Sequence, residues 1–204
     1  MNILVRPFDA HGVVFRPDTS WARLSDDLYL PDFVSGLSFT PVLYGRIEKP
    51  GKFIPAQSAY RYMKGDGGFG VLLYVEDYLR SSHESAYAQA ICQDHTSYLS
   101  CDYKSIAPED MAGKGPFTVS KNGKPLYRSP EMGDALPGGE SLSLATLRNH
   151  LCEASERILV RAGDFFCMEL SGRIPLMERA TEKENPTIEL SYLGTSLDFQ
   201  IIFK

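Results

Sequence analysis

A chain of 204 residues, 43% of them apolar, is long enough to bury one sizeable core, and its formal charge of −5 argues against a surface built to bind phosphate backbones. Basic residues such as Arg6, Arg16, Lys49 and Lys52 are scattered, and no stretch approaches the roughly 20 apolar residues of a membrane span, so neither nucleic acid nor a membrane is an expected partner. The opening Met1–Phe8 is too short for a signal-peptide core, and Cys92, Cys101, Cys152 and Cys167 form no Cys-x-x-Cys pair, which suits reduced thiols and a cytoplasmic setting.

In chain order, Met1–Val5 and Gly12–Phe15 read as short strands around an Asp9–Gly12 turn. Phe39–Ile47 reads as a further strand, in which Pro41 points to an edge or a bulge, and it ends at the turn Lys49-Pro50-Gly51-Lys52. Asp66-Gly67-Gly68 leads into Phe69–Val75, a continuous apolar run expected to be buried on both faces. Glu84–Cys92 fits a helix or a second buried strand, and Pro108–Gly115 reads as an acidic loop. Phe117–Arg128 is a hairpin, because Asn122-Gly123 supplies the two positive φ angles of a type I′ turn between alternating segments.

Glu131–Glu140 is a Gly/Pro-rich loop. Ser143–Leu159 carries Leu144, Leu147, Leu151, Ala154 and Ile158 at spacings of three and four, which predicts a helix capped by Ser141 or Ser143. Arg161–Asp164 then turns the chain into a strand over Phe165–Leu170. Thr187–Tyr192 and Leu197–Phe203 make a last strand pair around Leu193-Gly194-Thr195. Many strands and one main helix give an α+β class, a strand-rich mixed β-roll or sandwich, in one domain over 1–204 with N-terminal strands and a loop over 1–38 and a core over 39–204. No strand, glycine-rich loop and helix follow one another, so there is no phosphate-binding or dinucleotide fingerprint.

Several of these landmarks, in this order, resemble the catalytic domain of the fumarylacetoacetate hydrolase family. Val42–Ile54 (VLYGRIEKPGKFI) resembles its strand and Lys-Pro turn, and Asp66–Val75 the strand that carries its Glu-x-Glu pair. Gln93-Asp94-His95-Thr96-Ser97 resembles its Asn-Asp-x-Ser segment, and the Asn122-Gly123 hairpin, Gly163-Asp164 and Leu193-Gly194-Thr195 match later landmarks. The resemblance implies a twisted β-roll, a homodimer, and chemistry on small 2-oxo or 1,3-dicarbonyl acids assisted by Mg²⁺ or Mn²⁺.

The sequence departs from that pattern where the metal is held. The two glutamates fall on Gly68 and Gly70, which leaves Asp94 as the one matching metal-ligating carboxylate, and a hard cation needs several oxygen ligands. The family's Thr-Gly-Thr-Pro stretch after Gly-Asp reads Met168-Glu169-Leu170-Ser171 here.

Candidate catalytic residues are Asp94, His95 and Glu169. Asp94 would serve as residual ligand or orienting acid, and His95 as acid or base near neutral pH. Strand alternation would place Glu169 either inward or on the solvent face of an edge strand. Arg46, Lys49 and Lys114 are candidate grips for a small anionic ligand, with Gly68 and Gly70 lining its cleft. Two readings follow. One is a fumarylacetoacetate hydrolase-like protein with a degenerate metal site, non-catalytic or altered in its binding of a small 2-oxo or dicarbonyl acid. The other is an active hydrolase, decarboxylase or tautomerase in which Asp94 and His95 move the proton, a reading that requires both side chains in one pocket.

Overall fold

The structure, a computed structural model, describes residues 1–22, 27–63, 67–102, 115–137 and 139–203. The chain opens with β1 (Asn2–Arg6) and β2 (Val14–Pro17), an antiparallel pair, and continues through the short strands β3 (Trp21–Ala22) and β4 (Leu28–Leu30). Two long neighbours follow, β5 (Gly36–Arg46) and β6 (Gly67–Val75), then the short helices α1 (Glu76–Leu79) and α2 (Ala86–Ile91), and β7 (Ser97–Asp102). The hairpin β8 (Thr118–Lys121) and β9 (Lys124–Arg128) precedes the main helix α3 (Leu144–Arg157). The chain closes with β10 (Phe165–Glu169), β11 (Ile174–Glu178), β12 (Thr187–Tyr192) and β13 (Thr195–Phe203).

The strands form two sheets. The larger runs in the order β2-β1-β10-β5-β6-β7-β3, with β11 also paired to β5, and the smaller runs β4-β13-β12-β8-β9. Both are mixed: β1–β10, β3–β7 and β13–β4 pair parallel, and the other neighbours antiparallel. The main core contains Phe39, Leu43, Phe69, Val71 and Leu73 of the large sheet, Leu190, Phe199 and Ile201 of the small one, and Leu147 and Leu151 of α3. Tyr98 of β7 stacks on Phe199 of β13 at 3.7 Å between ring centroids, joining the sheets through aromatic area. The other face of the large sheet carries a second cluster, with Val42, Tyr44, Leu72, Tyr74 and Phe165 beneath Ile91 of α2. With both faces covered, β6 is buried along its whole length, as its unbroken apolar run predicts.

Three local readings are decided by tertiary context. Pro41 lies inside the central strand β5, not at an edge or a bulge. On one flank of β5, β10 pairs with residues up to Val42 and β11 takes over at Phe39. Pro41 sits at this handover, its carbonyl accepting from Leu170 N–H, so its missing N–H breaks no ladder. The Glu84–Cys92 alternative resolves as helix, over Ala86–Ile91. Both tight turns are type I′-like: Asn122 and Gly123 have φ of 49° and 73°, and Leu193 and Gly194 have 52° and 79°.

Helix α3 buries Leu144, Leu147, Leu151 and Ala154, the face its spacing predicts. Ser143 is its N-cap, its Oγ accepting from Thr146 N–H at 3.1 Å. Ser143→Ala is expected to lower stability by about 1 kcal/mol in urea unfolding with an unchanged m-value.

Candidate functional site

Side chains alternate along a strand, so Gly68, Gly70, Leu72 and Tyr74 of β6 share one face of the large sheet. The same face carries Thr40, Val42 and Tyr44 of β5, and Phe165, Cys167 and Glu169 of β10. It has two chemically different ends. At the glycine end the register sets Tyr44 beside Gly68 and Val42 beside Gly70. Phe165 meets Tyr44 edge-on at 5.7 Å, and Trp21 meets Phe165 at 5.1 Å, so aromatic rings cluster beside Tyr44 at this end. Gly70 faces the backbone of β7 at an irregularity in the β6–β7 pairing. A Cβ there would run into the Tyr98 carbonyl oxygen and lie 3.1 Å from Leu99 Cα, so no side chain fits.

The polar end is built around Glu169, which is only 7% exposed. Its Oε1 accepts from the Thr40 hydroxyl at 3.0 Å and from the Tyr74 hydroxyl, and its Oε2 accepts from Phe8 N–H at 3.0 Å. One carboxylate therefore ties β10, β5, β6 and the β1–β2 turn together. Beneath Tyr74 lies Arg16, fully buried, its guanidinium carbon 4.6 Å from the ring centroid. Arg16 Nη2 donates to the Leu73 carbonyl at 2.9 Å, and Nη1 reaches the Thr96 carbonyl, Thr96 Oγ1 and Ser97 Oγ at 3.4 Å each. Its Nε has no hydrogen-bond partner among the described residues. A buried cation thus packs on the ring of a phenol whose hydroxyl donates to a buried carboxylate.

Burial drives the Tyr74 phenol well above its ordinary value; Arg16 opposes the rise and Glu169 adds to it. Burial likewise pushes the Cys167 thiol up, again with Arg16 opposing and Glu169 adding, so this cysteine is not activated as a nucleophile.

The residues singled out from sequence are dispersed. Asp94 and His95 are both exposed, on the turn before β7, where His95 has a φ of 57° and its N–H donates to the Thr19 carbonyl. Neither lines a cleft described here. Among the described residues, no cleft brings the two side chains together as the proton-transfer reading requires.

The β6–β7 register also sets Asp94 beside neither of the glycines it was matched with. The Thr96 carbonyl bonds Leu73 N–H, and Leu73 is five strand residues beyond Gly68, roughly 16 Å at about 3.3 Å per residue. The backbone register sets Asp102 opposite Gly68 instead. Arg46 and Lys49 are exposed at the end of β5 and beyond it, and Lys114 lies outside the described residues. Glu169 points inward, and it does so from a strand paired on both sides, not from an edge.

These residues do not fit the divalent-metal site that the sequence resemblance implies. Positions 68 and 70 offer no side-chain oxygen, the Tyr98 backbone occupies the space beside Gly70, and Asp94 is remote. Among the described residues, no three His, Cys, Asp or Glu side chains are grouped to hold a metal ion.

Sequence reasoning missed Arg16 and Tyr74. The one available signal for Arg16 was alternation in β2, where Phe15 is exposed and Arg16 buried.

No protein-family model matches the sequence, and no curated protein matches it. Solved structures do share its fold. A protein from Yersinia pestis CO92 described as belonging to the fumarylacetoacetate hydrolase family superposes with a TM-score of 0.69 at 16% identity, over 98% of this chain and 92% of that one. The 2-hydroxyhepta-2,4-diene-1,7-dioate isomerase of Mycobacterium marinum gives 0.75 at 16%, over 100% and 75%. Maleylpyruvate hydrolase of Sphingobium sp. SYK-6 gives 0.68 at 14%, over 100% and 70%. The chain has the fold of these proteins, a strand-rich α+β roll.

Glu169→Ala strands a backbone N–H and two hydroxyls, and is expected to cost at least about 3 kcal/mol in denaturant unfolding. The raised Tyr74 phenol contributes stability that is fully present below about pH 10 and is lost as the pH rises toward its folded value. In alkaline unfolding, Tyr74→Phe is expected to lose stability less steeply above pH 10 than the unsubstituted chain.

Proposed function

We propose that this chain is a non-catalytic relative of the fumarylacetoacetate hydrolase-fold proteins, in which the metal-binding end of the sheet face has become packed aromatic core. The polar end of the same face is left to hold a small molecule. The observation that carries this reading is the contact between Gly70 and the β7 backbone: a carboxylate cannot be accommodated at that position without moving a strand. Three aromatic rings over the glycine end support it, because an apolar, dry surround disfavours a bare divalent ion that lacks charged ligands. The names of the structural neighbours, an isomerase and a hydrolase, describe those proteins, and fold alone does not carry activity.

The alternative, an enzyme acting on a small 2-oxo acid through Asp94 and His95, draws no support from the exposure of both residues. Gripping of a small acid by Arg46 and Lys49 is likewise unsupported, since both are exposed and line no described cleft. No helix among the described residues is long and apolar enough to cross a membrane. Homodimer assembly and a cytoplasmic setting remain part of the proposal, and light scattering at the mass of a single chain would remove the first.

Titration calorimetry with Mn²⁺ tests the reading. No saturable binding is expected up to about 1 mM, the weak end of the range for oxygen-ligand sites. Saturable binding near about 10 µM, abolished by Asp102→Asn or Asp94→Asn, would overturn it.

A further inference from the structure

The β1–β2 turn, β6, α2 and the start of the β10–β11 connection enclose a cleft of about 300 Å³ over Glu169. This is large enough for a ligand of one ring and a short chain, at the small end of ligand pockets. Phe8, Val14, Tyr74 and Tyr87 supply apolar and aromatic wall. The rings of Tyr74 and Tyr87 lie 6.2 Å apart and tilted at 47°. Charge enters the lining through Glu169, Asp9 and Arg173.

The hydrogen-bond capacity of Glu169 defines what it can still accept. Each carboxylate oxygen accepts about two hydrogen bonds. Oε1 is filled by the Thr40 and Tyr74 hydroxyls, whereas Oε2, among the described residues, takes Phe8 N–H alone and keeps one acceptor site. Asp9 is exposed and lines the cleft beside Gly172, its Oδ2 3.6 Å from where a Cβ on that glycine would stand. The cation at the rim, Arg173, is already shared with Glu76 of α1, at 3.4 Å from Oε1. Arg16 lies behind the Tyr74 ring and is not part of the lining. The cleft therefore presents acceptors inward and at its lip, between π faces, with its one cation turned to another partner. Such a surface favours a cationic donor over a carboxylate.

We propose that this cleft binds a small primary amine with a ring-sized apolar body. The body lies against Phe8, Val14, Tyr74 and Tyr87, and the ammonium donates to Glu169 Oε2 from the inside and faces Asp9 at the lip. The inference rests on the reading above in one respect, that the polar end of the sheet face, and not the glycine end, carries the ligand.

Three isosteric probes separate the chemistries: benzylamine, benzyl alcohol and benzoate, each titrated into the full chain and followed by calorimetry and amide chemical shifts. Benzylamine is expected to saturate one site, with benzyl alcohol at least about tenfold weaker and benzoate not binding. Ala10→Trp, on the exposed lip, is expected to plug the cleft and abolish binding with an unchanged Tm. Asp9→Asn, at an exposed side chain that makes none of the hydrogen bonds described for Glu169, is expected to weaken benzylamine severalfold and to reduce its salt dependence. If Ala10→Trp lowers the Tm, Asp9→Asn carries the test. Benzoate binding as tightly as benzylamine, benzylamine binding that survives both substitutions, or no saturable binding of any probe would overturn the inference. Mn²⁺ binding at the glycine end with benzylamine binding intact would overturn the earlier reading and leave this one standing.

Discussion

Arg16 and Glu169 are both taken out of water against Tyr74, the cation over its ring and the carboxylate at its hydroxyl, and this sheet face is arranged around that fact. An ionised group in an apolar surround is costly unless opposite charge and hydrogen bonds offset the cost. Here the offset is distributed. Glu169 draws donors from three elements besides its own, and Arg16 donates to the carbonyls of Leu73 and Thr96 and to the Thr96 and Ser97 hydroxyls. The phenol between them packs against the cation with its ring and donates to the anion with its hydroxyl. Such an arrangement does not have to raise net stability to matter, because removing either member leaves the other buried and uncompensated. It fixes where β2, β6 and β10 lie with respect to one another.

The proposed function divides this face in two. At Gly70 the backbones of β6 and β7 approach closely, and aromatic rings pack beside Tyr44. The Glu169 end keeps polar atoms next to a cleft. The structural neighbours share the roll but only 14–16% of the sequence. Function on a shared fold resides in its side chains.

What could be read in the sequence follows a physical boundary. Local signals were sufficient where the determinants are local: the two positive-φ residues at Asn122-Gly123, the apolar spacing of α3 with its serine cap, and the unbroken run of β6. Signals failed where partners are distant in the chain. Arg16 reads as one more scattered surface cation, and its burial depends on groups 57 to 81 residues away. Pro41 reads as a strand edge, and its tolerance depends on β10 and β11 meeting beside it. Glu169 was recognised as a candidate, but alternation in one strand does not say which face is covered. The match of Asp94 to an acidic landmark rests on local sequence, whereas the chain between β6 and β7 includes two short helices and the backbone register carries Asp102, not Asp94, to the level of Gly68.

The central claim is that Arg16 and Glu169 compensate one another through Tyr74, and a double-mutant cycle measures that directly. Arg16→Met, Glu169→Leu and the combined variant, compared by urea unfolding, yield the coupling energy. The account predicts that the double variant is more stable than the sum of the single losses implies, by about 2 kcal/mol or more. Losses that add within about 0.5 kcal/mol would show two independent buried charges and contradict it.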